Sequence, residues 1–267
     1  MVDYAKSVYS LSLRACCRLL GISRSLYRYQ PDRNRDNPVI EALSCLVEKY
    51  PRYGFPKLFV LLKREGHAWN HKRVHRVYCK MKLNMRRKYK KRLPVRNPQP
   101  LSVPESMNQS WSIDFMSDSL LDGRRFRTFN VIDDYNREAL AIEVDLSLPA
   151  QRVIRVLDRL VAWRGFPQQL RMDNGPEFIS LVMAEWAETH GVHLEFIEKG
   201  KPTQNSYVER FNGTYRTEIL DYYMFQTLSE VQEISDQWLE QYNDERPHES
   251  LGNLTPREYA LSSSDVQ

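Results

Sequence analysis

Cysteine is scarce in this sequence: four of 267 residues, Cys16, Cys17, Cys45 and Cys79, with no CxxC pair among them. Nothing in this spacing indicates a disulfide framework, and a reducing compartment fits. Long apolar runs are also missing, since no stretch reaches the ~18 residues of a membrane-spanning helix. No charged-then-apolar leader opens the sequence. We therefore expect a cytoplasmic protein with no membrane partner.

Several catalytic motifs are absent as well. Gly200 and Lys201 do not form a nucleotide-binding loop, because Glu195 stands where the first glycine is needed and Pro202 replaces the Ser or Thr. There is no HExxH helix and no GxSxG turn. These absences argue against a P-loop nucleotidase, a zinc protease of this type and a serine hydrolase.

A zinc site has weak support. His71, His75 and Cys79 follow each other at intervals of four, so they can share one face of a helix. Structural zinc sites usually draw ligands from two elements, and no partner CxxC is present. An incidental polar flank on a basic helix is the favoured interpretation, and zinc binding stays open.

What is present is a strong division of charge. Apolar residues make up 42% and charged residues 27%, as in ordinary globular proteins. Residues 1–104 hold 24 Lys and Arg against 6 Asp and Glu, whereas residues 105–267 hold 15 against 28. A basic module joined to an acidic one points to nucleic acid or an anionic surface as partner. A merely solvated basic surface is the alternative.

The basic module divides into three predicted parts. Residues 1–30 contain two short helices around Gly21, with Ser23 as the cap of the second, a pattern typical of a helix-turn-helix. Residues 38–85 form a second helical unit, in which Asn70 caps the last helix. Residues 86–107 form a basic, Pro-rich linker. Its cations are expected to contact DNA phosphates and to make binding salt-dependent. The residues expected to make these contacts are Arg86, Arg87, Lys88, Lys90 and Lys91.

Residues 108–267 predict an α/β domain. Three strands come in sequence, at 111–115, 126–132 and 139–146, and two more follow at 170–172 and 192–196. Helices are expected from Pro149 to Gly165, through Trp186, around 203–220 and over 228–242. This order predicts a mixed five-stranded sheet flanked by helices. Trp163, Trp186 and Trp238 lie on apolar helix stripes and are expected in the core.

Three carboxylates are the candidate site of this domain. Asp114 lies in the first strand, Asp173 follows the fourth, and Glu209 lies in a later helix. Converging carboxylates repel each other unless cations neutralise them. Oxygen ligands of this kind suit Mg²⁺ or Mn²⁺, and two such ions can hold the entering and leaving oxygens of a displacement at phosphorus. We predict that these three residues are both the catalytic residues and the ligands of two metal ions.

The helix that carries Glu209 predicts further contacts with DNA. Asn205, Glu209, Asn212 and Arg216 recur at helical spacing and line one face, beside an apolar stripe. We expect Asn205, Asn212 and Arg216 to bind DNA, with Arg216 on a phosphate. An ordinary amphipathic helix with a Glu209–Arg216 attraction is the alternative.

These motifs resemble those of the DDE transposase and retroviral-integrase superfamily, and most nearly the second-reading-frame product of a bacterial insertion sequence. The resemblance is carried by Trp111–Phe115, Asp173–Phe178, Asn205–Gly213 with Arg216, and the tail Tyr242–Pro256, which includes Arg246, Pro247 and His248. The helical unit around Tyr53-Gly54-Phe55 also fits. Arg210 departs from the pattern, which usually has a small residue after the glutamate; a cation there could contact DNA or disturb the site.

The resemblance implies a ribonuclease H-like core preceded by an all-α DNA-binding region. It implies a bacterial, nucleoid-associated enzyme that cleaves DNA at the terminal inverted repeats of its element and transfers the 3′-hydroxyl into target DNA. Mg²⁺ or Mn²⁺ would be the cofactor, two ions per site. The partners would be DNA, further copies of the chain and a first-reading-frame product, in trans or as a fusion. The alternatives are a DNA-binding regulator without catalysis and a hydrolase of RNA–DNA hybrids.

Overall fold

The computed structural model describes residues 1–30, 34–85, 103–198 and 202–264. The chain divides into two compact units. The first comprises Met1–Lys49 and Trp69–Asn84, and the second comprises Tyr50–Ala68 and Met85–Gln267. None of the helices in the described ranges has the length and apolar character that crossing a bilayer requires.

The first unit is helical, and the predicted helix pair around Gly21 is confirmed. Gly21 has a φ of 64°, the left-handed conformation that ends the first helix of the pair. The Ser23 hydroxyl accepts the Leu26 N–H at 3.0 Å and caps the second. The helices of this unit are α1 (Val2–Tyr9), α2 (Leu13–Leu19), α3 (Arg24–Arg28), α4 (Asn37–Lys49) and α6 (His71–Lys80).

Helices α4 and α6 pack through an apolar seam. Val39 and Leu43 of α4, and Val74 of α6, are completely buried. At one end of the seam, Asp36 accepts hydrogen bonds from Arg73 at 3.2 Å and Arg76 at 2.9 Å. The predicted cap is also observed, since the Asn70 side chain accepts the Lys72 N–H at 2.8 Å.

The second unit contains the predicted mixed five-stranded sheet. Its strands are β1 (Ser110–Ser119), β2 (Arg125–Asp133), β3 (Ala139–Asp145), β4 (Gln169–Met172) and β5 (His193–Phe196). Their order across the sheet is β3-β2-β1-β4-β5. The pairs of β1 with β2 and of β2 with β3 are antiparallel, whereas β4 is parallel to both β1 and β5.

Helices cover both faces of this sheet. On one face, α7 (Ala150–Arg164) and α8 (Leu181–His190) bury their apolar stripes against Trp111 and Ile113. On the other, α9 (Ser206–Tyr215), the π-helical turn Arg216–Leu220 and α10 (Leu228–Asp244) pack against Phe126 and Ile142. Because side chains alternate along a strand, Ser112 and Asp114 of β1 point toward α9.

Side chains of α10 satisfy the edge strand β3. Asn243 accepts the Ala139 N–H at 2.9 Å and donates to the Ala139 carbonyl at 2.8 Å. Gln232 makes the corresponding pair with Val144 N–H and Ile142 carbonyl, both at 2.8 Å. An uncovered edge would offer its backbone groups to another chain, so α10 closes this side of the sheet.

Two outcomes differ from the sequence predictions. Trp186 and Trp238 are buried as expected, but Trp163 is 61% exposed, since it lies near the end of α7 and off its buried stripe. Helix α5 (Phe55–Arg64) groups with the sheet, so the predicted helical unit 38–85 contributes to both compact units. Helix α11 (Pro256–Ser264) completes the second unit.

Candidate active site

Asp114 lies in β1, and Asp173 directly follows β4, the parallel neighbour of β1. Ser112 of β1 pairs with Arg171 of β4, and the same register carried on by two residues brings Asp114 beside Asp173. Adjacent strands are about 4.8 Å apart, and Asp114 points to the face that α9 covers, where it accepts a hydrogen bond from Asn212. The fold therefore brings together two of the three predicted carboxylates, which are far apart in the sequence.

Glu209 reaches the same region from α9. The apolar residues of this helix, Val208, Phe211 and Tyr215, are buried on the sheet, as their spacing predicts. Glu209 lies on the exposed side of that stripe. Its negative charge nevertheless acts on Asp114, as does that of Asp173, so the three predicted carboxylates share one electrostatic environment.

A chain of amide groups holds Asp114 in place. Asn212 of α9 donates from Nδ2 to Asp114 Oδ2 at 2.8 Å. Its Oδ1 accepts from Asn130 Nδ2 at 2.7 Å, and Asn130 pairs with Asp114 across β1 and β2. The Phe115 N–H donates to Asp114 Oδ1 at 2.8 Å. Each oxygen of Asp114 therefore already has one donor, which fixes the direction of the carboxylate.

The electrostatics of the site disfavour the charged form of Asp114. Its pKa is raised to about 6, chiefly by burial and further by the charges of Asp173 and Glu209. The hydrogen bonds from Phe115 and Asn212 act in the opposite direction. Burial also raises the pKa of Glu209. A bound multivalent cation would offset the cost of keeping these carboxylates charged close to one another.

The loop after β4 shapes the position of Asp173. Its Oδ1 accepts the Gly175 N–H at 3.0 Å, and a Cβ at position 175 would lie only 3.0 Å from the same oxygen. Phe178 anchors the loop in the core, stacked on Phe115. Glu177 forms an ion pair with Arg127 of β2. No local pattern in the sequence indicates that a glycine is needed at position 175 for the Asp173 carboxylate.

The other polar residues of the α9 face contact β1. Asn205 is buried, and its Nδ2 donates to the Ile113 carbonyl at 3.4 Å. Arg216 donates to Asp118 at 3.0 Å and to the Ser117 carbonyl at 2.8 Å. Neither contact is the Glu209–Arg216 attraction considered above. These contacts, like those of Asn212, are intramolecular, and DNA binding by Asn205, Asn212 and Arg216 stays a prediction.

Two other sequence predictions are not supported by described geometry. The basic run with Arg86, Arg87, Lys88, Lys90 and Lys91 lies outside the described residues. In α6, His75 Nε2 and Cys79 Sγ are 3.8 Å apart, and the His71 and His75 rings stack. Within the described ranges, these side chains do not form a group of three that could hold a metal ion.

Sequence reasoning missed a set of buried charges beneath the site. Arg171 of β4 is almost fully buried and pairs with Asp134 at 2.8 Å and Glu195 at 2.9 Å. Arg164 pairs with Asp133 at 3.1 Å and with Glu138 at 2.8 Å. Consecutive acids after a strand, Asp133 and Asp134, were the available signal. Through its two pairs, Arg171 joins β4 to β5 and to the residue that follows β2.

The donor chemistry of the three carboxylates fits Mg²⁺ or Mn²⁺, because hard cations take carboxylate oxygens. In the part of the chain that the structure describes, no three His, Cys, Asp or Glu side chains are close enough together to count as a formed metal site. Glu209 is exposed on α9, so its side chain can turn toward the aspartates. Metal binding by this set remains a prediction.

Comparison with known proteins identifies the family. Two models described as "Integrase core domain" match residues 104–202 and 190–256, and one described as "HTH-like domain" matches residues 34–91. The insertion element IS407 31.7 kDa protein of Burkholderia multivorans is 40% identical over 94% of this chain and 91% of its own length.

A more distant sequence relative and a solved structure are also similar to this chain. The transposase InsD for insertion element IS2A/D/F/H/I/K of Escherichia coli is 26% identical over 84% of this chain and 78% of its own length. A chain of the simian T-cell lymphotropic virus intasome, solved with PP2A regulatory subunit B56 gamma, shares the fold with a TM-score of 0.50 and 14% identity, over 82% of this chain and 74% of that one. This chain belongs to the family of insertion-element transposases with an integrase core domain.

Proposed function

We propose that the chain is a metal-dependent DNA strand transferase that cuts the ends of its element and joins them to target DNA. The observation that supports this proposal is the position of Asp114 in β1, whose parallel neighbour β4 leads directly into Asp173, with the pKa of Asp114 raised by burial and by the charges of Asp173 and Glu209. The family supports transposition in general. The chemistry, the metal and the residue roles are our inference.

In this proposal the three carboxylates act together as ligands. Asp114 and Asp173 supply a rigid pair, because each lies in or next to a strand and accepts a backbone N–H. Glu209 completes the set from α9. Divalent ions held there would polarise the scissile phosphodiester and activate water or a 3′-hydroxyl. Asn212 acts as a positioning residue, since it holds Asp114 through a hydrogen bond.

DNA binding by the N-terminal region complements the core. The first unit and the linker carry most of the basic residues, and the HTH-like match covers much of this region. We propose that it holds the terminal inverted repeat while the core acts on the strand, in the bacterial cytoplasm at the nucleoid. Further copies of the chain and a first-reading-frame product are the protein partners in this proposal.

The test is nicking of a duplex that carries the element end, with Mg²⁺ or Mn²⁺. Wild type should nick at the element boundary, and Glu209→Gln should bind the same duplex without nicking it. Glu240→Gln, on the outer surface of α10, is the matched control and should nick like wild type. Equal nicking by the Glu209 variant would reject the triad.

Two other outcomes decide between the alternatives. Binding of the element end by wild type, with no nicking in either metal, would favour the DNA-binding regulator. Cleavage of RNA–DNA hybrids in preference to the element end would favour the hydrolase.

A further inference from the structure

Two sequence motifs that the carboxylate site does not use meet in the second unit. The Tyr50 hydroxyl donates to Glu245 at 2.5 Å, just after α10. At the far end of α5, Arg64 donates to Glu258 at 2.6 Å and to the Asn253 carbonyl at 2.8 Å. The segment around Tyr53-Gly54-Phe55 is thus joined to the tail that follows α10.

Cations gather on aromatic rings where these motifs meet. The Arg246 guanidinium stands 5.1 Å from the centre of the Tyr53 ring and 5.5 Å from that of Tyr242. Lys57 Nζ lies 5.2 Å from the centre of the same Tyr53 ring. We call the four cations at this place the cationic cluster: Lys57, Arg137, Arg210 and Arg246.

The other two members come from β2–β3 and from α9. Arg137 lies in the turn between these strands, and its guanidinium stacks 3.5 Å from the centre of the Tyr207 ring. Arg210 directly follows Glu209 and is exposed. Burial, with the charges of all four cations as further causes, lowers the pKa of His248 to about 3. His248 is therefore neutral and adds no charge of its own.

The positive charge of the cluster exceeds the negative charge that balances it. Arg246 pairs with Glu218 at 2.5 Å. No carboxylate of the described residues lies within ion-pair distance of Lys57, Arg137 or Arg210. Burial and the neighbouring cations lower the pKa of Lys57 to about 8. Arg137 Nη1 is buried without a hydrogen-bond partner in the described part of the chain. Crowded, partly desolvated cations of this kind favour an anion.

We propose that the cationic cluster binds a backbone phosphate of the DNA strand that passes the carboxylates, with Arg210 making the direct contact. This inference rests on the proposed function, because it needs DNA at the core. Residues 105–267 carry 28 acids against 15 bases, so a concentration of cations in this domain favours the approach of a polyanion at that place. Arg210 directly follows Glu209 on the helix, so a phosphate bound by Arg210 would belong to the part of the strand that lies near the carboxylates.

The experiment measures DNA affinity against salt concentration without divalent metal, so that cleavage plays no part. Each phosphate contact contributes about 0.9 to the slope of log K against log salt on duplex DNA. Arg210→Gln should therefore reduce the slope by about 0.9, or about 0.7 on single-stranded DNA, and weaken binding by nearly an order of magnitude at 0.1 M salt. Lys57→Met, which keeps the aliphatic stem on Tyr53, should weaken binding in the same direction.

Arg155→Gln is the matched control. Arg155 is exposed on α7, which packs on the opposite sheet face, so its loss should leave the slope at the wild-type value. An Arg210→Gln slope equal to that of wild type would overturn the proposal. Inorganic phosphate that protects the fold as well as DNA does, in thermal melting, would also overturn it, in favour of a free-anion site.

The salt titration and the nicking assay test the phosphate site and the proposed function independently. If the wild type nicks with metal and the Arg210 variant keeps the full salt slope, the proposed function stands and the phosphate site is rejected. If the wild type does not nick, but the Arg210 variant has a smaller slope of log K against log salt, the phosphate site stands and the catalytic proposal is rejected.

Discussion

Replacing Asp114 with asparagine should stabilise the metal-free protein at neutral pH. The pKa of Asp114 is raised from 3.8 to about 6 by burial and by Asp173 and Glu209. A shift of about 2 units corresponds to about 3 kcal/mol of unfavourable free energy in the charged state at pH 7. Asparagine carries no charge, so the variant avoids this cost. Functional sites often store instability in this way.

The loss of one hydrogen bond reduces the expected gain in unfolding free energy. Asp114 accepts from the Phe115 N–H with one oxygen and from Asn212 with the other. Asparagine has a single acceptor oxygen and leaves one donor without it, which costs about 1 kcal/mol. The expected net effect is an unfolding free energy about 1–2 kcal/mol higher than that of wild type at pH 7.

The pH dependence gives the sharper test. Between about pH 4 and pH 6 the folded state holds a proton on Asp114 that the unfolded state has released, so wild-type stability falls as pH rises. The variant lacks this contribution, and the two proteins should converge toward pH 4, apart from the lost hydrogen bond. Urea unfolding from pH 4 to pH 7.5 in the presence of a chelator measures the difference.

Millimolar Mg²⁺ should then reverse the order. A ligand that binds only the folded state stabilises it, and wild type should gain stability that the Asp114→Asn variant does not. A variant less stable than wild type at pH 7, or a difference that does not change with pH, would refute the electrostatic reasoning.

Three further changes test the surroundings of the site. Asn212→Ala removes a hydrogen bond that favours the charged form of Asp114, so the acidic limb of the pH–rate profile should move to higher pH and kcat should fall at least tenfold. Gly175→Ala sets a Cβ 3.0 Å from Asp173 Oδ1 and should abolish nicking, whereas Gly213→Ala, whose Cβ meets open space, should not. Arg171→Met leaves Asp134 buried without its cation and should cost about 3–5 kcal/mol in urea unfolding; a loss below about 1 kcal/mol would contradict that pairing.

The sequence was sufficient to predict the sheet and the elements that carry the carboxylates. The apolar stripe of α9 is a local signal, and the structure confirms it. The family motifs then related Asp114, Asp173 and Glu209 to one another. That these side chains share an electrostatic environment depends on strand order, which no local pattern encodes.

What the sequence did not predict depends on contacts between distant segments. Nothing in the local sequence distinguishes Asn130 from other strand residues, and its role depends on its hydrogen bond to Asn212 of α9. Arg216 was expected to meet a phosphate, but Asp118 lies within its reach on β1. Helix α5 was expected to pack with its sequence neighbours, whereas Tyr50 and Arg64 join it to the tail of the chain. Trp163 has the spacing of a core residue and falls outside the buried arc of α7.

The proposed function requires three carboxylates to hold two divalent ions against a DNA strand. Electron paramagnetic resonance of Mn²⁺ bound to the complex of this protein with element-end DNA tests it most directly. We predict a spin-coupled pair of ions about 3.5–4 Å apart, absent from the Asp114→Asn complex at the same Mn²⁺ concentration. Uncoupled Mn²⁺ in the wild-type complex, or the same coupled signal in the variant, would show that these carboxylates do not hold a metal pair.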